Sequence, residues 1–582
     1  MKVVVGQGSC GISVGADKTK EEFVKLIGEK DLDVKVGITG CIGSCYLEPI
    51  VDIYDDEGKL TRYVKVQPEN VLEIFENHIL KGKVCEKFLI EKDDEEFIGK
   101  QTRIVLRNTG IIDPEDINDY IGKNGYKAAK KAVTSMSQED IIEEVKVAGL
   151  RGRGGAGFPT WKKWTRAKAE RGEKKYIVCN ADEGDPGVFM DRSVLESDPH
   201  SVIEGMIIGG FAIGAAEGII YCRGEYVMAV KRLQMAIDQA REKGFLGNNI
   251  FGTGFSFDLR INVGVGAFVC GEETALIATL EGERGMPRIK PNYPVARGYW
   301  QQPTNVNNVE TYANVAWIVL NGGAAYSAYG RDESRGTKVF ALSGKIKKGG
   351  LVELPLGMTL REVVYDIGGG IQDDKALKAV QMGGPSGGCV PAELIDLPIT
   401  HENIENTGAM IGSGDMIIVD EDRCMVDMAR FFIDFARKES CGKCNYCRIG
   451  TKRLLEILER IIDGKGKEGD IELLEELSVK VKDGSLCGLG KTAPNPLLTT
   501  IKYFRNEYED HIINKKCTAK ACKKLISYHI TDDCKGCTLC SRNCPVKAIT
   551  GSPKELHVID QDVCIKCGKC FENCRFNAIE IM

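Results

Sequence analysis

The sequence predicts a multidomain α/β protein, and three observations support this fold class. The chain has 582 residues, whereas single hydrophobic cores stop growing at roughly 250–300 residues. Strand-like apolar runs alternate with helical patterns and glycine-rich turns over much of the chain. Two similar cysteine runs close it and form an internal repeat. We therefore expect five consecutive modules, at residues 1–90, 100–330, 335–422, 425–510 and 511–582.

The first module, residues 1–90, is expected to be a small αβ layer. Strands are predicted at 3–5, 34–39 and 50–54 because β-branched residues are concentrated there, and a helix is predicted at 20–30 from its apolar period. The charged segment at 91–96 is expected to be a linker.

The second module is predicted to be an α/β domain. Strands are expected at 175–179 and 218–222, between glycine-rich turns and helical patterns, which is typical of nucleotide-binding domains. The most apolar stretch, 202–221, contains Glu204 and Glu217 and is rich in Gly and Ala. It is therefore predicted to be a buried helix and strand rather than a membrane span.

The third and fourth modules differ in their apolar period. Short β runs broken by glycines, at 339–342, 351–354 and 416–419, predict a small ubiquitin-like β-grasp module of the SLBB-like kind. Apolar residues at helical spacing between 454 and 477 predict a helical bundle at 425–510, and this bundle carries cysteines.

Composition limits the compartment and the partners. A net charge of −6 and a pI near 5.8 disfavour nucleic acid or an anionic membrane surface as partner. The amino terminus turns polar within a few residues, so we expect no secretory signal and a cytoplasmic protein. In a reducing compartment, close-set members of the 23 cysteines are expected to bind metals rather than to form disulfides.

The carboxyl-terminal cysteine runs predict two [4Fe–4S] clusters. Each run has the spacing Cys-x2-Cys-x2-Cys-x3-Cys, in which the last cysteine of a run ligates the cluster of the other run. One cluster is expected on Cys534, Cys537, Cys540 and Cys574, and the other on Cys544, Cys564, Cys567 and Cys570. The final module is therefore predicted to be a two-cluster ferredoxin.

Two further cysteine sets lie upstream. Cys441, Cys444, Cys447 and Cys487 are predicted to hold a third [4Fe–4S] cluster, because three cysteines around one turn can cap a face of the cube; zinc is the alternative. The spacing of His511, Cys517 and Cys522 suits tetrahedral zinc instead, with Cys424 as fourth ligand. The alternative for this second set is unligated thiols on a connecting helix.

A glycine-rich loop at 152–157 precedes a segment with helical potential. Four glycines in six residues let backbone N–H groups approach a phosphate, and a helix N-terminus adds a positive end. Acidic turns follow at 180–187 and 270–275. Solvated turns are one interpretation of them. Polar groups at strand ends beside a glycine loop indicate instead a ligand crevice that binds ribityl and ribose hydroxyls.

Together with the segment 304–311, these motifs resemble the FMN- and NADH-binding flavoprotein subunit of respiratory complex I and its relatives in soluble hydrogenases. Four separated motifs occur in the family's order, and the resemblance covers about residues 100–510. It implies FMN and NAD(H) as cofactors. It also implies that the helical [4Fe–4S] bundle lies next to the flavin.

The resemblance also implies individual roles. The FMN phosphate side would contact Gly152, Arg153, Gly154 and Lys163. The ribityl chain and ring would contact Asn180, Asp182, Glu183, Asn307, Asn308 and Thr311. The pyridine nucleotide would contact Glu272, Glu273, Lys290 and Tyr293, with the tyrosine stacked on its adenine. Gly155, Phe268 and Gly271 are also expected to bind a cofactor. Catalytic roles are expected for Glu183, Asp185 and Glu273.

Two departures from the family leave the choice of nucleotide open. Arg166 stands where relatives often carry an aromatic or aliphatic residue, and Asp185 replaces a longer acid. An arginine pairs bidentately with phosphate, so this combination would tolerate the 2′-phosphate of NADP(H) better than the usual pair. The alternative is that Arg166 points to solvent and that NADH is used.

Cys10, Cys41 and Cys45 resemble the thioredoxin-like [2Fe–2S] domain of the same system. That pattern requires a first cysteine at position 5, where this chain has Val5. Three thiols cannot complete a four-thiolate site. Either a non-cysteine group ligates the second iron, or the domain is an empty structural relic.

A thioredoxin-like head and a ferredoxin tail on one chain resemble the diaphorase subunit of electron-bifurcating or NAD(P)-linked [FeFe] hydrogenases. The resemblance implies NAD(P)H oxidation, or its reverse, at FMN, with electrons passing through the clusters. It implies a hetero-oligomer with a hydrogenase catalytic subunit, a small thioredoxin-like [2Fe–2S] subunit and ferredoxin. The alternatives are a diaphorase subunit of NAD-dependent formate dehydrogenase and an electron-transfer scaffold that no longer binds nucleotide.

Overall fold

The computed structural model describes residues 1–289 and 293–582. Contacts between residues divide the chain into two compact units. Unit 1 comprises residues 1–375 and 379–418, and unit 2 comprises residues 376–378 and 419–582. Among the described residues, no helix has the length and apolar character needed to cross a membrane.

Unit 1 begins with a four-stranded mixed sheet that we call the head. Its elements are β1 (Lys2–Gly6), α1 (Ser9–Ser13), α2 (Ala16–Glu29), β2 (Lys35–Thr39), β3 (Val51–Tyr54), β4 (Leu60–Tyr63), α3 (Val71–Ile74) and α4 (Lys92–Gly99). The strand order is β2-β1-β3-β4, with β1 parallel to β2 and antiparallel to β3. The predicted strands and helix of this region are confirmed.

Helix α4 replaces the linker that the charged run at 91–96 predicts, so that prediction was wrong. Three acids occupy the first turn of the helix, where carboxylates interact favourably with the N-terminal end of the helix dipole. Phe97 is buried, and Lys348 pairs with Asp93 and Asp94. The buried aromatic side chain and these ion pairs stabilise the helix, which the run of charged residues alone does not predict.

The central part of unit 1 is an α/β domain. Its elements are α5 (Ile117–Gly122), α6 (Lys127–Ser135), α7 (Gln138–Val147), α8 (Thr160–Ala169), β5 (Tyr176–Ala181), α9 (Met190–Ser197), α10 (Pro199–Ile213), β6 (Glu217–Arg223), α11 (Val227–Glu242), β7 (Asp258–Gly264), α12 (Glu273–Leu280), α13 (Pro294–Arg297), β8 (Thr304–Asn308), α14 (Val309–Asn321) and α15 (Gly323–Ser327). The sheet order is β7-β6-β5-β8, and every neighbouring pair is parallel. Helices α10 and α14 contribute many buried residues to the core of this domain.

Unit 1 ends in a second, mixed sheet with order β12-β11-β15-β13-β14. Its region contains β9 (Gly330–Arg331), β10 (Ser334–Arg335), β11 (Thr337–Gly344), β12 (Gly350–Pro355), β13 (Leu377–Met382), β14 (Gly388–Pro391), α16 (His401–Thr407) and β15 (Asp415–Asp420). Strand β11 is antiparallel to β12 and parallel to β15. The three β runs predicted here are confirmed.

Unit 2 is helical at first and then forms a small tail. Its elements are α17 (Met425–Glu439), α18 (Asn445–Arg460), α19 (Asp470–Gly484), α20 (Gly488–Thr492), α21 (Asn495–Glu509), β16 (Tyr528–Ile530), α22 (Leu539–Asn543), β17 (Ile549–Thr550), β18 (Val558–Ile559), α23 (Lys569–Glu572) and β19 (Ile579–Ile581). The tail strands pair as β16-β19 and β17-β18. One apolar cluster contains residues of both the helices and the tail.

Candidate functional site

A cavity of about 410 Å³ opens at the carboxyl ends of β5 and β8. Strands β6 and β7 extend from one side of β5, whereas β8 lies on its other side. This reversal of strand order is the point at which parallel α/β sheets bind ligands. Eleven predicted cofactor residues line the cavity: Gly152, Gly154, Lys163, Asn180, Gly271, Glu272, Glu273, Tyr293, Asn307, Asn308 and Thr311.

A larger cavity, of about 590 Å³, lies at the opposite, amino-terminal edge of the same sheet. Four of its charged side chains are paired with one another, Arg241 with Asp258 and Arg260 with Glu217. Ligands of parallel sheets bind at the other edge. The smaller cavity is therefore the better candidate for the functional site.

The glycine loop forms one wall of the smaller cavity and is held from behind by Arg153. This guanidinium is buried and donates hydrogen bonds to the backbone oxygens of Arg335 and Thr337 and to the hydroxyl of Tyr326. Sequence resemblance predicts Arg153 as a phosphate contact. In the structure its side chain anchors the loop instead, and it is not among the lining residues.

Glycine is required at position 154 by close packing. A Cβ atom there would lie 2.9 Å from Cβ of Asn308. The neighbouring Gly155 pairs through its backbone with Gly412, so it faces away from the cavity lining. Gly152, Gly154 and Gly157 line the cavity, and residues without side chains let a ligand approach the backbone, as phosphate-binding loops require.

Lys163 and Glu273 form an ion pair inside the cavity. The Lys163 Nζ lies 2.9 Å from Oε2 of Glu273 and donates to the Val306 backbone oxygen at 2.7 Å. Both side chains are between one fifth and one third exposed. The cation is thus held between helices α8 and α12, at a position where an anionic ligand can reach it.

The adjacent acid, Glu272, has a different structural role. Its Oε2 accepts hydrogen bonds from the backbone N–H groups of Thr274 and Ala275, each at 2.9 Å, and caps helix α12. A capping carboxylate is committed to the helix N-terminus. Of the two adjacent acids, Glu273 is therefore the one available for a ligand.

The amides at the strand ends are already bonded to their surroundings. Asn180 donates to the Gly271 backbone oxygen at 2.8 Å, and Asn307 accepts from the indole of Trp164 at 3.0 Å. Asn308 caps helix α14 by accepting from the Thr311 N–H. These bonds fix the side chains before a ligand arrives, so the cavity is preorganised.

Glu183 lies behind the cavity. Its carboxylate accepts hydrogen bonds from the backbone of Asp191 and Arg192 at 3.0 and 3.1 Å and from the Tyr226 hydroxyl at 3.1 Å. Burial raises its pKa. Its contacts hold the first turn of α9, and it is not part of the cavity lining.

Asp185, predicted to be catalytic, also lies outside the lining. Its carboxylate accepts a hydrogen bond from Ser413, and burial raises its pKa to about 6. The buried Asp415 lies nearby, and its pKa is raised by burial and by the charge of Asp185. The geometry thus ties Asp185 to the second sheet of unit 1.

The remaining predicted residues have varied positions. Asp182 is buried, and its backbone N–H donates to Asn180 Oδ1 at 3.0 Å. Phe268 packs closely against Gly184. Tyr293 lines the cavity and is 47% exposed. Lys290 lies outside the described residues.

Arg166 lines the cavity together with Phe158, a residue that motif matching missed. The guanidinium carbon lies 5.9 Å from the centre of the Phe158 ring, which is 41% exposed. The position of Phe158 directly after the glycine loop was the signal that could have identified it. A cation and an exposed aromatic face lie side by side at this wall.

The two carboxyl-terminal cysteine runs come together in the two mixed sets that their spacing predicts. One small cavity is lined by Cys534, Cys537, Cys540 and Cys574, and a second by Cys544, Cys564, Cys567 and Cys570. Each set therefore combines three cysteines of one run with the last cysteine of the other. This is the arrangement that a two-cluster ferredoxin requires.

The third predicted cluster set is built at two helix starts. Cys444 precedes α18, Cys447 lies in its first turn, and Cys487 precedes α20. The hydroxyl of Ser440 lies 3.2 Å from the sulfur of Cys447. Helix N-termini and such hydroxyl contacts stabilise thiolates.

The connector set, which comprises Cys424, His511, Cys517 and Cys522, is compact. All four ligand atoms lie within 4.8 Å of one another and all four residues are buried. His511 Nε2 is 3.4 Å from the sulfurs of Cys424 and Cys522, which are 3.7 Å apart. Corners of a tetrahedral zinc site lie about 3.5–3.8 Å apart, given Zn–S near 2.3 Å and Zn–N near 2.0 Å.

The other nitrogen of the imidazole is also fixed. His511 Nδ1 lies 2.7 Å from the backbone oxygen of Glu507, and such a contact orients a metal-ligating histidine. The residues present therefore fit zinc. Among the described residues, only the connector set and the head's cysteines bring at least three ligand atoms within 4.8 Å of one another.

The head's three cysteines form the other compact group. The Cys45 sulfur is 3.6 Å from that of Cys10 and 3.9 Å from that of Cys41. Val5, at the position expected for a fourth cysteine, is a fully buried residue of β1. The structure thus assembles three thiols and confirms that the fourth position holds no sulfur.

Three family models match the chain. The Nuo51 FMN-binding domain matches residues 145–317, the NADH-ubiquinone oxidoreductase-F iron-sulfur binding region matches residues 427–511, and a 4Fe-4S binding domain matches residues 557–580. The first model covers the glycine loop, both acidic turns and β8. The second covers the cluster set at α18 and α20.

Similar proteins extend the match over most of the chain. The NADP-reducing hydrogenase subunit HndC of Solidesulfovibrio fructosivorans is 55% identical over 481 residues, which cover 82% of this chain and 98% of that protein. A subunit of the NADH-quinone oxidoreductase of Escherichia coli is 44% identical over 398 residues, 68% of this chain and 89% of that one. A crystal structure of NAD+-reducing [NiFe]-hydrogenase in the H2-reduced state superposes with a TM-score of 0.63 at 30% identity, covering 88% and 85% of the two chains.

Proposed function

Because the chain belongs to the family of FMN- and iron–sulfur-binding subunits shared by NADH-quinone oxidoreductases and hydrogenases, we propose that it exchanges electrons between NAD(P)H and iron–sulfur clusters within a hydrogenase. The observation that carries this proposal is the preorganised cavity at the switch point of β5 and β8. The 55% identity with an NADP-reducing hydrogenase subunit supports the hydrogenase assignment.

The cavity residues fit an FMN. The part of the loop from Gly154 to Gly157 would hold its phosphate through backbone N–H groups, because the N–H groups of Gly152 and Arg153 already donate to Phe158 and Thr311. Lys163 would add a positive charge. Asn180, Asn307 and Asn308 would meet the ribityl chain and the ring. When bound, FMN supplies the conversion between two-electron hydride transfer and one-electron transfer to clusters.

Glu273 is the acid that would orient the pyridine nucleotide. It lies in the cavity beside Lys163, whereas Glu272 is bonded to its own helix. The ion pair with Lys163 fixes the orientation of the Glu273 carboxylate and leaves it partly exposed. Tyr293 offers an exposed ring for the adenine at the same cavity.

Cofactor choice would depend on Arg166. Its position at the cavity wall supports a role near a 2′-phosphate, because a guanidinium pairs bidentately with phosphate. Asp185 gives no such support, since it is buried against Ser413. We expect Arg166→Phe to lower the ratio of kcat/KM for NADPH over NADH. An unchanged ratio would show that Arg166 only covers Phe158.

Electrons would leave the cavity domain through three [4Fe–4S] clusters, or about twelve irons per chain. The ligand sets are those of α18 and α20 and the two tail sets. The connector set would hold one zinc ion that ties the start of α17 to the segment before β16. Such a zinc would act as a rigid staple for the tail rather than as an electron carrier.

The partners would be a hydrogenase catalytic subunit, a small thioredoxin-like [2Fe–2S] subunit and ferredoxin. The head would itself be thioredoxin-like and the second sheet of unit 1 a β-grasp module. Low-potential tail clusters suit electron bifurcation, which divides electron pairs between NAD(P)+ and ferredoxin and in reverse combines electrons from NAD(P)H and ferredoxin. A cytoplasmic location follows from this role.

Purification of the native complex tests the proposal. We expect the chain to copurify with a hydrogenase catalytic subunit and the preparation to reduce NAD(P)+ with H2. Copurification with a formate dehydrogenase, together with formate-dependent NAD+ reduction, would replace the hydrogenase assignment. A preparation without flavin would indicate an electron-transfer scaffold.

A further inference from the structure

The head's three cysteine sulfurs are arranged around one point. The Cys45 sulfur lies 3.6 Å from that of Cys10 and 3.9 Å from that of Cys41, and all three lie within 4.8 Å of one another. Thiolates that share one tetrahedral zinc ion lie about 3.8 Å apart, given Zn–S bonds near 2.3 Å. The three sulfurs therefore fit three corners of a single coordination sphere.

This arrangement does not fit the [2Fe–2S] cluster that the sequence resemblance implies. In such a cluster each iron takes two protein ligands, so four ligands divide into two separate pairs. The sulfur of Cys10 is as close to that of Cys45 as the sulfur of Cys41 is, so no such pairs are present. The fourth thiolate would come from position 5, where the buried Val5 offers no ligand atom.

The backbone beside the cysteines supports metal ligation. Cys41 and Cys45 are separated by three residues, and zinc-binding cysteine pairs are typically separated by about two to four. The N–H of Gly43 donates to the Cys41 sulfur at 3.4 Å, from a backbone conformation with φ of +100° that glycine adopts readily. A Cβ atom on Gly8 would lie 2.8 Å from that of Cys41. The segment before Cys10 therefore packs directly on this turn.

We infer that the head binds one zinc ion through the thiolates of Cys10, Cys41 and Cys45, with a solvent molecule as the fourth ligand. Thiolates are soft ligands, and a tetrahedral thiolate site selects zinc among the common divalent ions. Three thiolates around Zn²⁺ leave a net negative charge. The guanidinium of Arg192, which interacts with Cys10, would offset this charge.

The nearby carboxylate of Glu48 lies outside this coordination sphere. Its side chain is 7% exposed, and its Oε2 accepts a hydrogen bond from the Ile50 N–H at 3.0 Å. Its oxygens do not belong to the group of ligand atoms within 4.8 Å of one another. The fourth position is therefore left to solvent, as in other zinc sites with three protein ligands.

A zinc ion here would give the head a structural role rather than an electron-carrying one, because zinc has no redox chemistry in proteins. Its ligands lie on the segments that follow β1 and β2. Beside them, Ser9 donates to Glu196 of α9 through its N–H at 2.9 Å and its hydroxyl at 2.6 Å. The ion would thus fix two segments of the head next to their contact with α9.

Zinc and iron analysis of the full-length chain, purified without oxygen, tests this inference. Cys517→Ser combined with Cys522→Ser removes the proposed connector zinc, so any zinc that remains in this double variant reports on the head. Cys41→Ser, Cys45→Ser and Glu48→Gln are each added to the double variant and also made in the parent chain. Cys85→Ser is the matched control, because Cys85 is a buried cysteine of the head outside the group. FMN content and iron content show whether each variant remains folded.

We expect about two zinc ions per parent chain and about one in the double variant. Adding Cys41→Ser or Cys45→Ser should remove the remaining zinc. Cys85→Ser and Glu48→Gln should keep it, because neither residue ligates the ion. About twelve irons per chain should be present throughout, since the head would contribute none.

Four results would overturn the inference. They are a double variant without zinc, zinc that persists after Cys41→Ser and Cys45→Ser, zinc that is lost in Glu48→Gln, and about fourteen irons per parent chain, which would indicate a two-iron centre. These readouts do not involve NAD(P)H. Failure here would therefore be distinguishable from failure of the proposed hydrogenase function, which concerns the cavity of the α/β domain.

Discussion

The nucleotide cavity of unit 1 and the cysteine sets of unit 2 are built in opposite ways. The cavity is assembled from residues between 152 and 311. Several of their polar groups hydrogen-bond to one another and also line the space that a ligand would fill. Each cysteine set has four members. A metal centre that loses one of four ligands loses its coordination, whereas a cavity that loses one of many polar groups loses part of its orientation. Substitutions in the cysteine sets should therefore abolish a metal centre, whereas substitutions in the cavity should only weaken the orientation of a ligand.

The largest effect is expected from a cluster ligand. Cys447→Ser should remove the cluster held by Cys441, Cys444, Cys447 and Cys487, so iron falls from about twelve to about eight per chain within the [4Fe–4S] complement. Flavin reduction by NADH should persist, while electron transfer to the tail clusters stops. Rapid mixing recorded at flavin and cluster absorbance bands, with Cys85→Ser as matched control, measures both steps. Normal tail reduction in Cys447→Ser would show that electrons take another route.

The connector set should give the next largest effect and a different pattern. Cys517→Ser combined with Cys522→Ser should weaken zinc binding by more than about 100-fold, since even changes around metal ligands cost about 10–100-fold. NADH-driven reduction of an artificial dye should remain, because this set lies outside the cavity. Ferredoxin-coupled turnover of the complex should decline. The proposed zinc link between the start of α17 and the segment before β16 would be contradicted by a parent protein without zinc. Normal coupled turnover in the variant would contradict it as well.

In the cavity, Glu273→Gln should lower NAD(P)H oxidation at least about tenfold while FMN stays bound, because in our proposal the acid would orient the nucleotide rather than hold the flavin. Glu272→Gln is the matched control. It should affect the stability of α12 by about 1 kcal/mol through its cap and leave nucleotide oxidation largely intact. Steady-state kinetics and thermal unfolding of both variants distinguish the two acids. Equal losses of activity would show that both acids contact the ligand.

The smallest effect on electron flow is expected at Asp185. Its pKa of about 6 in the folded protein lies above the value near 3.9 of an exposed aspartate. The ionised form is therefore penalised in the folded state, and stability is lost as pH rises from about 4 through about 6, by about 3 kcal/mol in total. Asp185→Asn should raise Tm at pH 8, change it little below pH 4, and leave NADH oxidation unchanged.

This test decides between two interpretations of Asp185. The sequence resemblance predicts a catalytic acid, and the structure buries the side chain against Ser413. A drop in kcat for Asp185→Asn without a change in pH-dependent stability would favour the catalytic interpretation. A gain in stability with normal kcat would favour the structural one.

Sequence spacing predicts best where chemistry demands a fixed local pattern. The exchange of Cys544 and Cys574 between the two tail runs follows from spacing alone, and so does the pairing of His511 with Cys517 and Cys522. Cys424 could be proposed only because the set lacked a ligand. Its approach to His511 depends on how the helical bundle folds.

Prediction was weaker where one residue type serves two purposes. Arg153 and Glu183 match a cofactor motif, and both are buried side chains that hold the loop and α9 behind the cavity. The segment at 91–96 looked like a linker because burial of Phe97 depends on tertiary packing.

Anaerobic mixing of the purified full-length chain with NADH tests the central claim most directly. We expect flavin absorbance to bleach first and cluster absorbance to bleach afterwards, in the parent chain and in Cys85→Ser alike. Glu273→Gln should slow the first phase without removing the flavin. A chain that contains FMN and clusters, and whose flavin stays oxidised with both NADH and NADPH, would contradict the account.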